Sequence, residues 1–540
     1  MTAFEPRRTP VTPQDLVGCR YRLVQRARLP EVAATEASRR RTERAEQAIH
    51  AALALLPTSP ALGDNKNFLR IDAAHDEFAT LEAIAAGATL ITNARFAGAE
   101  LSVTVEVLVR DNQPGPYSAY TPVIVSTHRV ARPQPAAETG RTPTHTTWGV
   151  ATQRLGLGPR VAMPFKLRHH AVDGYRLAAA ARFLTELGVN SGWGGAIGQD
   201  LHRCFMVRTQ PLQPALERAL QQPTPTAPVR KKECSSCRFW FDCRRQLEDA
   251  DDLSLLLPGD RGRTLRERGI DTVQELIDAR LGEPSELAVA WRRGINLLRR
   301  REELAPLLST PRDVEIDVDM EAFLDVGAYL WGTFDGHSYR PFVTWEPLGT
   351  GKDTDPEAVN FAQFAAYIRG RRRQAAKEKK SFAVFCYSAH GENHWLLQSA
   401  RRFAGREIVA PDPLTGELSV LPIPTVDQVK RFIGSPQWVD VFKDVKANLT
   451  GPAGLGLKVV APAAGFEWRE EDMDGEASVH AYRLAVPEAF GTHHPHPEQV
   501  RSLLLSYNED DCRATRAVRQ LLRSGARQLP LLSQQIQADS

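Results

Sequence analysis

Three cysteines in the spacing C-x2-C-x5-C (Cys234, Cys237 and Cys243), with a fourth, Cys19, far upstream, constrain this chain more than any other feature. A thiolate set spread over so much sequence acts as a staple, joining the start of a domain to its end. Soft thiolates select zinc or an iron–sulfur cluster. Zinc modules usually carry two short cysteine pairs close together. A ligand from far away favours a 4Fe-4S cubane closing a long loop, with zinc as the alternative. The trio lies in KKECSSCRFWFDCRR, a polar and charged setting unlike that of cysteines packed in a core. Cys204, in LHRCF, competes with Cys19 for the fourth position because it is nearer in sequence. Cys386 and Cys512 fit buried packing.

A chain of 540 residues exceeds a single core and implies two to four domains. Its seven cysteines form no dense even-numbered framework, which fits a reducing compartment. Arg7 and Arg8 are followed by polar residues and prolines instead of the apolar stretch of a twin-arginine signal. No apolar run approaches membrane-spanning length. The expectation is a cytoplasmic protein with no membrane partner. A net charge of +3 excludes a uniformly basic binder, yet cations cluster at Arg230–Lys232, Arg292–Arg293, Arg299–Arg301, Arg371–Arg373 and Lys377–Lys380. Such clusters are either solvated helix faces or tracks for phosphates.

Residues 11–56 read as helical, as does Asp76 to Gly87. Leu101–Val109 and Thr121–Val130 read as a hairpin around the turn DNQPGPYS. A proline-rich loop, RPQPAAETGRTPT, precedes a helix at Gly174–Leu187, and PTPTAP (Pro223–Pro228) is a linker. Between Asp251 and Leu307 two short helices flank Gly269–Ile270, the second capped by Asp271 or Thr272. This pair resembles a helix-hairpin-helix, although a plain helical spacer has the same pattern. Arg263, Arg266 and Arg268 flank its turn and Arg299, Arg300 and Arg301 follow; they are expected to bind nucleic-acid backbone without reading sequence. From Val314 come three strands, a helix (Glu357–Lys377), a buried strand (Ser381–Ser388), further helices and a C-terminal helix from about Ser502. That order matches an RNase H-like α/β core. The expected architecture is multidomain α/β: residues 12–250, a helical linker over 251–310, and an RNase H-like domain over 311–530.

The last domain carries the more complete acidic set. Asp319 and Glu321, two apart on a strand, emerge on one face. Two co-facial carboxylates are costly unless a cation neutralises them. Glu392 follows the buried strand, and SYNEDDCRA places Tyr507 and Asp511 on one helical face. Such acids can hold two divalent ions, Mg2+ or Mn2+, that position water for in-line attack on phosphate. Taken singly, D-x-E can be a solvated strand edge and YNEDD a helix-dipole cluster. Their order resembles the DEDD superfamily of 3′–5′ exonucleases in its tyrosine variety, especially RNase H-like domains related to YprB. On that resemblance Asp319 and Glu321 are the first motif, Glu392 stands where the second usually has aspartate, and Tyr507 and Asp511 are the third. Asp440, in WVDVFKDVK, is an accessory acid or a helix cap.

Cys19 together with Cys234, Cys237 and Cys243 resembles the iron–sulfur staple of RecB-type nucleases, including AddB and CRISPR-associated relatives. That resemblance implies an acid on the first hairpin strand and an acid-x-lysine triplet on the second. Glu106 can stand for the first acid, but the second strand reads Ile124-Val125-Ser126, with neither acid nor lysine. The fold is expected without the activity, and Glu106 as a surface strand residue or a relic. Residues 12 to 530 resemble a bacterial family in which a RecB-like domain with an iron–sulfur cluster precedes a YprB-type RNase H-like domain. The implied function is a metal-dependent exonuclease on single-stranded DNA ends in DNA repair or processing. Its cluster is structural and DNA-facing, with Lys231, Lys232 and Arg244 near phosphates. The alternatives are a non-catalytic iron–sulfur DNA-binding or scaffold protein, and an RNA-processing nuclease.

Overall fold

The computed structural model describes residues 10–59, 67–111, 119–133, 147–324, 326–349, 354–469, 473, 475–490 and 494–535. Arg7 and Arg8, the turn after Asp111 and most of the proline-rich loop lie outside these residues. The chain divides into two compact units, Met1–Gly269 and Ile270–Ser540. Among the described residues no helix is long and apolar enough to cross a membrane.

The first unit is built on one mixed sheet. Its strands are β1 (Arg70–Asp72), β2 (Leu90–Ala97), β3 (Ser102–Asp111), β4 (Ala119–Val125), β5 (Thr147–Ala151), β6 (Val161–Met163), β7 (Trp193–Ile197) and β8 (Arg203–Arg208), in the order β1-β2-β3-β4-β7-β8-β5-β6. Strands β2, β3 and β4 form an antiparallel meander, and β7 joins β4 in parallel. A parallel neighbour needs a crossover. The helix between them supplies it, with Leu177, Ala178 and Leu184 packed in one core with Val105, Leu108 and Ile124.

The expected hairpin is β3–β4. Its second strand ends at Val125; the Ser126 amide still bonds the Ile197 carbonyl, while its hydroxyl bonds Asp173 and accepts from the His128 amide as the chain turns away. The helical reading of 11–56 is interrupted. The helix Arg22–Arg28 ends before Pro30, and α1 (Glu36–Ala54) restarts under a Thr35 cap. Helices α2 (Glu77–Ala85) and α3 (Ala171–Glu186) lie where the sequence puts them. Strand β7, Trp-Gly-Gly-Ala-Ile, carries a weak strand signal because packing requires its glycine. A Cβ on Gly195 would lie 2.6 Å from Cys204 Sγ and 2.8 Å from Val123 Cγ2. After the unstructured Pro223–Pro228 stretch, α4 (Trp240–Asp249) carries the last cysteine of the trio.

The unit division falls inside the expected linker, at Gly269, whose φ is +78°. Before it stands a single turn of helix, Arg263–Arg266; after it, Thr272 caps α5 (Val273–Asp278) and exchanges hydrogen bonds with Glu275. Leu298–Arg299 pairs with Leu449–Thr450, so the later part of that segment folds into the second unit.

The second unit centres on five strands: β9 (Val314–Phe323), β10 (Gly327–Phe334), β11 (Tyr339–Val343), β12 (Phe382–Cys386) and β13 (Trp438–Asp440). Their order is β11-β10-β9-β12-β13. The first three form an antiparallel meander, while β12 and β13 join in parallel. On one face Ile316 and Val318 of β9 pack with Phe361 and Phe364 of α6 (Pro356–Lys377) and Trp395 of α7 (His390–Phe403). Asp440 caps α8 (Val441–Asn448). The opposite face carries the long C-terminal helix α9 (Pro497–Arg523). It begins earlier than the expected Ser502 because Pro497 is pre-set for the first turn. Strand β13 and a separate ribbon, Glu407–Pro411 with Leu418–Pro422, were not foreseen; both are too short for a periodic signal.

Candidate active site

Strand β9 reads Val-Glu-Ile-Asp-Val-Asp-Met-Glu, so its period of two places Glu315, Asp317, Asp319 and Glu321 in one row facing α9. The helix treats the two halves of this row differently. Arg519, fully buried, grips Asp317 with both ends of its guanidinium, at 2.8 and 2.7 Å, and reaches Glu315 at 3.0 Å. Arg523 bonds Glu315 at 2.6 Å, and Arg516 lies 3.6 Å from Asp317. One helical turn further along, the arginines stop. Asp319 and Glu321 meet Tyr507, Asn508 and Asp511 instead.

Ligand oxygens of Asp319, Glu321 and Asp511 all lie within 4.8 Å of one another. A β-bulge between Glu321 and Ala322 alters the pairing with β10 at this point, a device that re-aims side chains beside sites. Each acid is held by a neutral donor. The Asn508 amide donates to Asp319 at 2.7 Å, the Ser478 hydroxyl to Glu321 at 2.6 Å, and the Trp468 indole to Asp511 at 2.8 Å. Tyr339 in turn donates to Asn508 at 2.8 Å. Gly332 of β10 makes room for this arrangement, because a Cβ there would overlap the Asn508 amide oxygen. Tyr507, one turn before Asp511, is hydrogen-bonded to it. Glu392, buried in the first turn of α7, lies outside the 4.8 Å group but close enough for its charge to act on Asp319.

The electrostatics follow from four acids that no arginine pairs with among the described residues, and Lys458 acts only on Asp511, from the edge. Burial, then the charges of Asp511, Glu321 and Glu392, hold the Asp319 carboxyl well above its usual range. Burial and Asp511 raise Glu321 to about 7; burial and the charges of Asp440, Glu321 and Asp511 raise Glu392 to about 8. Asp511 is raised to about 6, mainly by burial, with Trp468, Tyr507 and Lys458 acting the other way. Glu315, by contrast, is lowered to about 2 because Arg523 and Arg519 outweigh its burial. Clustered hard oxygens that hold their protons this strongly fit a divalent cation, which displaces the protons when it binds. The Tyr507 phenol is pushed upward by burial and by Asp511, so it remains a hydrogen-bond donor. Asp440, read as an accessory acid or a cap, caps α8 by accepting from Phe442 and also accepts from Ser388 at 3.0 Å.

The cysteines divide differently. Cys19, Cys234, Cys237 and Cys243 line one cavity of about 350 Å³ in the first unit. Segments on both sides of it are tied together, Lys231 to the Gly18 carbonyl at 2.7 Å and Gln25 to Cys243 Sγ at 3.2 Å. Burial raises the Cys243 thiol to about 11, with the three other cysteines adding to the shift. Cys204 lies in the core on β8, 3.9 Å from Met206 Sδ, packed with Val123 and Val150.

Glu106 departs from its expected surface position. It is buried on β3, where it accepts from the Val125 amide at 2.7 Å and pairs with Arg176 of α3 at 2.6 Å. A guanidinium from the crossover helix therefore occupies the cation position beside this acid. Among the six arginines expected to meet phosphate, Arg266 pairs with Asp252, Arg299 bonds the Leu529 carbonyl, and Arg300 bonds Glu283 and the Leu449 carbonyl. Arg263, Arg268 and Arg301 are exposed.

A family model of the RNase H superfamily matches residues 424–523. The match covers Asp440, Tyr507 and Asp511, whereas Asp319, Glu321 and Glu392 reach the same site from strands and a helix before it. No curated protein and no solved structure matches the chain. The second unit thus carries an RNase H-like domain in which Asp319 and Glu321 of β9 meet Asp511 of α9, with Tyr507 bonded to Asp511 and Glu392 outside that group. Sequence reading missed Asn508, Ser478, Trp468 and Tyr339. Asn508 stands beside Tyr507, and its position on the strand-facing side of α9 was a usable signal; the other three come from segments distant in sequence.

Proposed function

We propose that this chain is a metal-dependent nuclease with its chemistry in the second unit. In this reading it is a 3′–5′ exonuclease acting on single-stranded DNA ends, in cytoplasmic DNA repair or processing. One observation carries the proposal: the acidic row on β9 receives arginines at Glu315 and Asp317 and none at Asp319 and Glu321. An unneutralised trio of carboxylates next to a fully neutralised pair on the same strand calls for an external cation. Asp319, Glu321 and Asp511, with Glu392, would hold Mg2+ or Mn2+, which activate water and neutralise charge on the phosphate. Asn508, Ser478 and Trp468 fix the rotamers of the three acids. Tyr507, kept protonated, orients the attacking water from the helix side. Labelled single-stranded DNA and RNA, incubated with Mg2+, Mn2+ or chelator, test this reading. Wild type should shorten DNA only with metal, and Asp319→Ala and Asp511→Ala should lose orders of magnitude in rate. Equal digestion by all three proteins refutes the assignment, and a preference for RNA moves the protein to RNA processing.

The first unit is proposed to be a RecB-like, catalytically silent domain that binds nucleic acid. The β2–β3–β4 meander, the crossover helix α3 leading to parallel β7, and the Glu106–Arg176 pair support that reading. The cysteine cavity is proposed to hold a 4Fe-4S cluster on Cys19, Cys234, Cys237 and Cys243. Four thiolates also suit a tetrahedral zinc, which is the alternative occupant. Iron and sulfide analysis of protein purified without oxygen decides this: loss in Cys19→Ser and retention in Cys204→Ser supports the cluster, and zinc without sulfide removes it. Exposed Arg263, Arg268 and Arg301, with Lys231, Lys232 and Arg244, are the proposed phosphate contacts.

A further inference from the structure

The acidic site has one cationic neighbour that neither its metal ligands nor its helix arginines account for. Lys458, in the short helix Leu457–Val460, places its ammonium 5.4 Å from the ring centroid of Tyr507 and 5.9 Å from that of Trp468. Both aromatic side chains are hydrogen-bonded to Asp511. The ammonium also donates to the Met473 carbonyl. It has three N–H groups, so one carbonyl leaves donors unused. The side chain is solvent-exposed, and among the described residues it forms no ion pair. Arg469, by contrast, is committed to Asp510 and Glu509. A cation flanked by two rings and open on its remaining side, at the edge of a carboxylate cluster, suits a mobile anion better than a fixed one.

We infer that Lys458 contacts a phosphate of the bound strand, holding the backbone beside the Tyr507–Asp511 edge of the site. The inference rests on the nuclease reading and extends it to the substrate. A merely structural Lys458 would serve Met473 or steady Asp511, and glutamine can keep the first role while losing the charge.

The test uses the full chain and a 5′-fluorescein-labelled dT12 oligonucleotide. Binding is followed by anisotropy across a salt series in the Asp319→Ala background, and hydrolysis in the otherwise wild-type protein. Neutralising one phosphate contact lowers the slope of log affinity against log salt by about 0.7 for a single strand. Lys458→Gln should lose that amount, and Lys458→Arg should keep it. In hydrolysis Lys458→Gln should raise KM about ten-fold with kcat within about three-fold of wild type, as loss of uniform binding requires. An unchanged salt slope, or a fall in kcat at constant KM, overturns the phosphate contact. If wild type itself fails to hydrolyse dT12 with Mg2+ or Mn2+, the nuclease reading fails and takes this inference with it. If wild type cleaves and the slopes agree, the inference alone falls.

Discussion

Replacing Glu321 by glutamine should stabilise the metal-free protein while destroying its activity. Glu321 is raised from the ordinary glutamate value of 4.5 to about 7 by burial and by Asp511. A group whose folded pKa is raised contributes stability that is fully present below its unfolded pKa and lost as pH rises through the folded one. For Glu321 that window runs from about pH 4.5 to pH 7, so at pH 8 the ionised side chain is a net burden. At 1.36 kcal/mol per pH unit the shift corresponds to about 3 kcal/mol, and partial solvent access reduces this to roughly 2–3 kcal/mol. Glutamine cannot ionise and retains a group for the Ser478 hydroxyl, so it removes the burden. In chelator at pH 8, Glu321→Gln should melt roughly 4–12 °C above wild type, from about 2–4 °C per kcal/mol for a unit of this size. At pH 5 most of the gap should close. Mg2+ should narrow the gap at pH 8 as well, because it stabilises wild type by binding the folded state and the variant less. Thermal melts followed by circular dichroism at both pH values measure all of this. A variant that melts below wild type at pH 8, or a gap that is the same at pH 5, refutes the reasoning.

Gly332→Ala should cut hydrolysis of single-stranded DNA roughly 100-fold, the scale of an ångström of misplacement, because the new methyl evicts the Asn508 amide that holds Asp319; a wild-type rate would show that Asn508 is dispensable. Arg519→Ala should destabilise the second unit by about 3–5 kcal/mol in urea titrations by leaving buried Asp317 with only Arg516 at 3.6 Å, whereas Arg519→Met with Asp317→Leu should cost much less. Similar losses in both would mean that packing of Arg519, not its charge, is what matters. Glu106→Ala should leave hydrolysis nearly unchanged, and Arg176→Ala should lower stability by about 3–5 kcal/mol without touching the rate. A large loss of activity from Glu106→Ala alone would assign chemistry to the first unit.

The second unit was legible because its signals are periodic. Alternation along β9 fixes which side chains face α9, and the spacing of Tyr507 and Asp511 fixes their shared face, so both halves of the acidic group are written in local patterns. What the sequence could not give was the partner of each acid. Ser478 and Trp468 reach Glu321 and Asp511 across long separations, and no local pattern encodes such contacts. The first unit was less legible for a different reason. Strands β5 to β8 have three to six residues each, and Gly195 sits where close packing against β4 and β8 forbids a side chain. Packing there overrides intrinsic propensity.

The buried strand carboxylates Glu106 and Asp317 are met differently from the acids of the site, and the difference locates function. Glu106 is answered by Arg176 and Asp317 by Arg519, each a guanidinium delivered by a helix packed over the acid's own strand. Such pairs are closed: every charge is met, and nothing outside the chain is required. At Asp319, one pleat along from Asp317, the same helix offers Asn508 and then Asp511 in place of another arginine. Asparagine can fix a carboxylate's rotamer but cannot neutralise it, and Asp511 adds charge where the rest of the helix removes it. The helix that supplies arginines at adjacent positions supplies none here, and Lys458 at the Asp511 edge cannot balance three carboxylates, so the hardness of the ligands makes a divalent ion the fitting choice. In the first unit the opposite holds, because the cation position beside Glu106 already belongs to Arg176.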